Sequence, residues 1–104
     1  MPPENNKILS IVIPVFNEIN FIDKLFDQLK LYFNKKDTEV IFIDDGSTDG
    51  SSNVLKNIKE KKDYIFSFKL IKLDINAGKG KAIQTGIKNS EGEYVLLQDA
   101  DLEY

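Results

Sequence analysis

Apolar residues in this chain fall into two alternating patterns: short β-branched runs, and longer stretches where they recur every three or four positions. Leu9–Val15 (LSIVIPV) and Glu39–Ile43 (EVIFI) are of the first kind, one carrying Pro14 near its end and the other stopped by Asp44-Asp45-Gly46. Runs without polar alternation read as strands covered on both faces, the signature of a parallel sheet. Phe68–Ile75 (FKLIKLDI) reads as a third strand, interrupted by Lys69 and Lys72, and Tyr94–Leu97 (YVLL) as a fourth, also expected to be buried. Between the first two, Ile19, Ile22, Leu25, Phe26, Leu29 and Phe33 trace one face of a helix that Asn17 or Asn20 can cap. Ser47, Thr48 and Asp49 offer capping oxygens to a second helix carrying Val54, Leu55 and Ile58 and ending in Lys59–Lys62, where cations suit the helix dipole. A third helix spans Lys79–Lys88, with Ala82, Ile83 and Ile87 on one face, and Asn89-Ser90-Glu91-Gly92 turns the chain into the last strand. This alternation predicts an α/β fold: an open, mainly parallel sheet with helices on both faces and right-handed crossovers. Such sheets bind ligands beyond the carboxyl ends of their strands, where strand order reverses.

Composition narrows the chemistry. With 104 residues, 41% apolar and 30% charged, the chain suits one domain around a single core, over residues 8–104 behind a polar tail at 1–7. Cysteine and histidine are both absent. That removes disulfides, thiolate and imidazole zinc sites, and every Ser-His or Cys-His nucleophile, so any metal must sit on oxygen. The 14 basic residues are all lysines against 17 acids, and a net charge of −3 leaves no electrostatic footprint for nucleic acid. The apolar runs fall far short of the roughly 20 residues a membrane span needs, and Met1–Lys7 lacks the basic-then-apolar layout of a signal peptide. A cytoplasmic location is the default expectation.

Acids gather where the strands stop: Glu18 after Phe16 and Asn17, then Asp44 and Asp45, then Asp74 ahead of Asn76, then Asp99, Asp101 and Glu103. In a parallel sheet these segments share one rim. Unscreened carboxylates so close repel by roughly 4 kcal/mol per pair at 4 Å and intermediate dielectric, which a hard divalent cation would relieve. Asp99-Ala100-Asp101 is the sharpest signal, because residues two apart on an extended segment face the same way and can share one Mg²⁺ or Mn²⁺. One of Asp44 and Asp45 can turn to the rim and accept from a base or ribose. Asp45, Ser47, Asp49 and Gly50 imitate the start of a calcium loop, but Lys56 stands where a bidentate Glu is needed. Gly78-Lys79-Gly80 lacks the third glycine of a dinucleotide fingerprint and the Ser or Thr of a Walker loop. It still allows a tight turn with amides aimed at an anion, and Lys79 or Lys81 can add charge.

Taken in order, Ser10–Glu18 (SIVIPVFNE), Asp44–Gly50 (DDGSTDG), Asn76–Ala82 (NAGKGKA), Gly92–Val95 (GEYV) and Gln98–Glu103 (QDADLE) resemble the family 2 glycosyltransferases over nearly the whole chain. Within that family the sequence is most similar to the dolichyl- or polyprenyl-phosphate mannose or glucose synthase group. The resemblance implies a Rossmann-like, glycosyltransferase A type nucleotide-sugar site. Pro14, Phe16, Glu18, Asp44, Asp45, Asn76, Gly78, Lys79 and Asp99 would contact the GDP- or UDP-linked donor, Asp99 and Asp101 would be the catalytic pair, and Asp99, Asp101 and Glu103 would hold Mg²⁺ or Mn²⁺. It implies inverting transfer of a sugar onto a polyprenyl phosphate at the cytoplasmic face of a membrane, with transfer to a polysaccharide or other cell-envelope glycan as the alternative. A magnesium-binding, receiver-like regulatory module is a further alternative. Family members continue well past the Asp-x-Asp motif, so the chain is expected to be a truncated, donor-binding half that lacks acceptor-binding elements, is inactive alone and self-associates.

Overall fold

Seven elements alternate along the chain: β1 (Leu9–Val15), α1 (Ile22–Tyr32), β2 (Thr38–Asp45), α2 (Ser51–Lys61), β3 (Ser67–Leu73), α3 (Lys79–Lys88) and β4 (Tyr94–Leu97). They are taken from a computed structural model, which describes residues 6–100. The strands form one parallel sheet in the order β3-β2-β1-β4. β1 pairs with β2 from Leu9↔Thr38 to Val15↔Asp44 and with β4 from Leu9↔Tyr94 to Val12↔Leu97.

Strand periodicity divides the core in two. Ile11, Ile13, Val15, Val40 and Phe42 meet Ile22, Leu25, Phe26 and Leu29 of α1 and Leu55 and Ile58 of α2. The intervening Val12, Ile41 and Ile43 point the other way, onto Ala82 of α3. Both central strands are therefore covered on both faces, and each fully buried aliphatic side chain contributes roughly 1.5–3 kcal/mol. On the α1 side Phe26 sits edge-on to Tyr64 and Phe66, with ring centroids 5.7 Å away in each case.

Several local expectations give way to tertiary demands. α3 packs through Ala82 and Gly86 rather than through Ala82, Ile83 and Ile87; Ile87 is exposed. A Cβ on Gly86 would overlap the side chains of Val12 and Ile43, so the bare backbone there is what lets α3 lie close to the sheet. α1 starts at Ile22 behind Phe21 with no side-chain cap, because Asn17 is engaged elsewhere, and Ile19 precedes the helix. α2 begins behind Gly50 in a left-handed conformation (φ 95°), and neither Ser47 nor Thr48 caps it. β3 ends at Leu73, which leaves Ile75 exposed beyond it. β4, expected to be buried, is an edge strand whose four side chains are all exposed.

Candidate functional site

Strand order reverses at β1, with β2 and β3 on one side and β4 on the other. At the carboxyl ends, where a parallel sheet opens a crevice at such a reversal, lies a cleft of about 350 Å³ lined by Pro14, Val15, Phe16, Glu18, Asp45, Asn76, Gly78, Lys79, Asp99 and Ala100. Pro14 and Phe16 come from the end of β1, Asp45 from the end of β2, Asn76 and Gly78 from the β3–α3 loop, Lys79 from the first turn of α3, and Asp99 from just beyond β4. Asp101 and Glu103 lie outside the described residues.

Adjacent acids at the end of β2 have opposite fates. Asp44 shares the face of Val40 and Phe42, is fully buried, and accepts from the Ser47 amide through Oδ1 (3.0 Å), while Oδ2 has no hydrogen-bond partner among the described residues. It does not line the cleft. Asp45 shares the face of Ile41 and Ile43 and accepts from the amides of Ala77 (2.7 Å, Oδ1) and Gly78 (2.9 Å, Oδ2). The two amides expected to face an anion thus hold a carboxylate of the chain itself, and Asp45 clamps the β3–α3 loop to the sheet. Gly46 makes the close approach possible: its φ is 74°, and a Cβ there would come 2.6 Å from the Asn76 nitrogen.

A second clamp joins the loops after β1 and β2. Asn17, itself left-handed (φ 54°), donates its amide to Ser47 Oγ (3.0 Å), and its Oδ1 accepts from the Thr48 amide (2.7 Å). The Glu18 amide donates to Ser51 Oγ (3.1 Å) and the Ile19 amide to Asp49 Oδ2 (3.1 Å). Burial pushes Asp49 upward, but hydrogen bonds from the Ser51 hydroxyl and from the amides of Ser51 and Ile19 outweigh it and hold the carboxyl below its ordinary 3.8. These bonds fix where Phe16 and Glu18 stand. Sequence reasoning treated Asn17, Ser47 and Asp49 as helix caps, and of these Asp49 does accept from the Ser51 amide at the start of α2 (3.0 Å); the missed signal is that both loops carry a surplus of side chains able to bond backbone groups.

Asp99 forms an ion pair with Lys79 at the mouth of the cleft, both more than half exposed. The donor set offered here, carboxylate oxygen without sulfur or imidazole, suits a hard cation such as Mg²⁺ or Mn²⁺, and Asp99 already has a cation beside it. The expected single cluster of acids does not form: Glu18, Asp45 and Asp99 share the cleft, but Asp74 is exposed outside it, and among the described residues no three acids stand close enough to hold one ion. Among the same residues no helix is long and apolar enough to cross a membrane.

The model of glycosyl transferase family 2 matches residues 10–104. The chain belongs to that family. It is 35% identical to a dolichyl-phosphate beta-glucosyltransferase of Dictyostelium discoideum over 95% of its own length and 32% of the relative's. It is 37% identical to a poly-beta-1,6-N-acetyl-D-glucosamine synthase of Staphylococcus aureus, over 89% of this chain and 21% of that one. Among solved structures it superposes on S. aureus TarS 1-349 in complex with UDP (TM-score 0.79, 30% identity, 90% of this chain and 27% of that chain). It also superposes on the mannosyltransferase PcManGT of Pyrobaculum calidifontis in complex with GDP-Man and Mn²⁺ (TM-score 0.82, 26% identity, 89% and 27%). The chain spans about a third or less of the length of each of these family 2 relatives. Membership sets aside the receiver-like alternative and agrees with the glycosyltransferase A type sheet.

Proposed function

We propose that this chain is the donor-binding part of a metal-dependent, inverting glycosyltransferase that moves one sugar from a nucleoside-diphosphate sugar to a polyprenyl, dolichyl-type phosphate. One observation carries the reading: Pro14, Glu18, Asp45, Lys79 and Asp99, from the ends of four separate strands, converge on one cleft at the strand-order reversal of a family 2 chain. Pro14 and Phe16 form an apolar wall for the base. Glu18 and Asp45 accept from base and ribose, each Asp45 oxygen keeping a lone pair beyond its amide bond. Asn76 and the Lys79 ammonium face the diphosphate. Asp99 and Asp101, with Glu103, would hold the divalent ion, which when bound supplies neutralisation of charge on the departing diphosphate.

In the reaction an acceptor phosphate oxygen forms a bond to the sugar C1 from the face opposite the donor, the C1–O bond to the diphosphate breaks, and the configuration inverts. The acceptor is already anionic, so the chain needs no strong base, in keeping with a site without histidine. A lipid-phosphate acceptor puts the reaction at a membrane surface, and the dolichyl-phosphate relative favours it. The synthase relative of S. aureus favours the second reading, transfer to a growing polysaccharide. Self-association belongs to the same proposal, supported by the uncovered side chains of β4; a monomeric sedimentation profile at high concentration counts against it.

Calorimetric titration of the chain with GDP-mannose and UDP-glucose, with and without Mn²⁺, tests the donor assignment. Weak, Mn²⁺-dependent binding of one nucleotide, lost in Asp99→Ala, is expected. Binding that ignores both Mn²⁺ and the substitution refutes it.

A further inference from the structure

β4 is the weakest-held strand in the sheet, yet it carries Asp99 to the cleft. Among the described residues its four side chains are all exposed and it pairs only with β1, over four residues. Its position therefore depends on backbone bonds and on what grips its ends. At its amino end, on the side of the sheet away from the cleft, Glu39 of β2 is fully buried, a costly place for a carboxylate unless it is compensated. Its Oε2 accepts from Ser10 Oγ of β1 (2.9 Å) and from the amide of Glu91 (2.6 Å) in the turn before β4. Ser10 Oγ in turn accepts from the Gly92 amide (2.8 Å). Among the described residues Oε1 has no hydrogen bond of good geometry but lies 3.1 Å from the ammonium of Lys69 on β3, which donates to the Asn89 carbonyl at the start of the same turn (3.0 Å). One buried acid thus ties β1 and β3 to the turn that enters β4. The turn lies directly on β1: a Cβ on Gly92 would come 2.6 Å from Ser10 Oγ and 2.7 Å from its nitrogen.

We propose that Glu39 is a positioning residue for the donor site, a latch that sets the register of β4 on β1 and so decides where Asp99 stands. The proposal rests on the donor-site reading above. Side chains alternate along a strand, so a one-residue slip of β4 would turn Asp99 to the other face of the sheet. The β4 side chains are all exposed and offer that slip little resistance; the packing that opposes it comes from Ala100 just beyond Asp99, buried in the core. Gly92, held by the latch, and Asp99 are seven positions apart, roughly 20 Å of extended chain, and the ladder bond from Gln98 N to the Val12 carbonyl (3.0 Å) holds the strand just before Asp99.

Residue-resolved amide exchange on the chain, without nucleotide, tests the latch. In Glu39→Gln, exchange at Leu96 and Gln98, the alternate amides that face β1, should quicken roughly tenfold, the size of one lost charge-assisted hydrogen bond, while Ile41–Ile43 of β2 keep their rates. Ser10→Ala, which deletes one hydroxyl without uncovering a charge, should act in the same direction and reads the latch if Glu39→Gln does not fold. Mn²⁺-dependent nucleotide affinity should fall with β4 protection although no cleft residue has changed. Unchanged exchange in β4, or equal acceleration throughout the sheet, overturns the proposal, as does undiminished nucleotide affinity. A wild-type chain that binds no nucleotide sinks the donor reading instead and leaves the exchange result to decide the latch.

Discussion

Replacing Asp45 by alanine removes both acceptors that hold the β3–α3 loop, the partners of the Ala77 and Gly78 amides at 2.7 and 2.9 Å. Hydrogen bonds to a charged group contribute roughly 1.5–3 kcal/mol each. The side chain is 2% exposed, whereas the loop it grips is partly wetted, so water can recover some of the loss on the amide side. About 3 kcal/mol for the pair is the expected destabilisation, a large fraction of the roughly 5–15 kcal/mol that holds a small domain together. Asp45→Asn keeps one oxygen and sets an NH₂ group against the other amide, so it should lose about half as much. Urea unfolding of the three proteins should rank wild type above Asn above Ala, with amide exchange at Ala77 and Gly78 accelerated in the same order. An alanine variant within about 0.5 kcal/mol of wild type, with those two amides still protected, would refute the clamp and return Asp45 to ligand contact alone.

Gly86→Ala should cost about 1–3 kcal/mol by overpacking against Val12 and Ile43, seen as a lower urea midpoint with unchanged m. A cost-free substitution would mean that α3 can lift off the sheet. Asp49 governs part of the acid stability. Its carboxyl is held below the ordinary 3.8, so its contribution is complete above that value and is lost as pH falls from 3.8 through the folded value. Asp49→Asn should therefore lower stability at neutral pH and flatten the fall below pH 3.8; parallel pH profiles for the two proteins would contradict this.

Local pattern alone determined the seven elements and their kinds, with β1, α3 and β4 matching to the residue, because periodicity and turn chemistry are properties of neighbouring residues. It also marked part of the cleft, since in a parallel sheet the strand ends must share a rim; Glu18, Asp99 and one of Asp44 and Asp45 were legible on that ground, and Pro14 through the family resemblance. Tertiary structure decided everything that depends on residues far apart in the chain. Asp44 and Asp45 are indistinguishable until the sheet assigns their faces to opposite layers. Asn17 looks like a helix cap until the next loop arrives, 31 residues later, to take its oxygen. The exposure of β4 follows from strand order, and Glu39 meets its amide partner across 52 residues. A side chain's polarity says that it needs a partner; only the assembled sheet says which one.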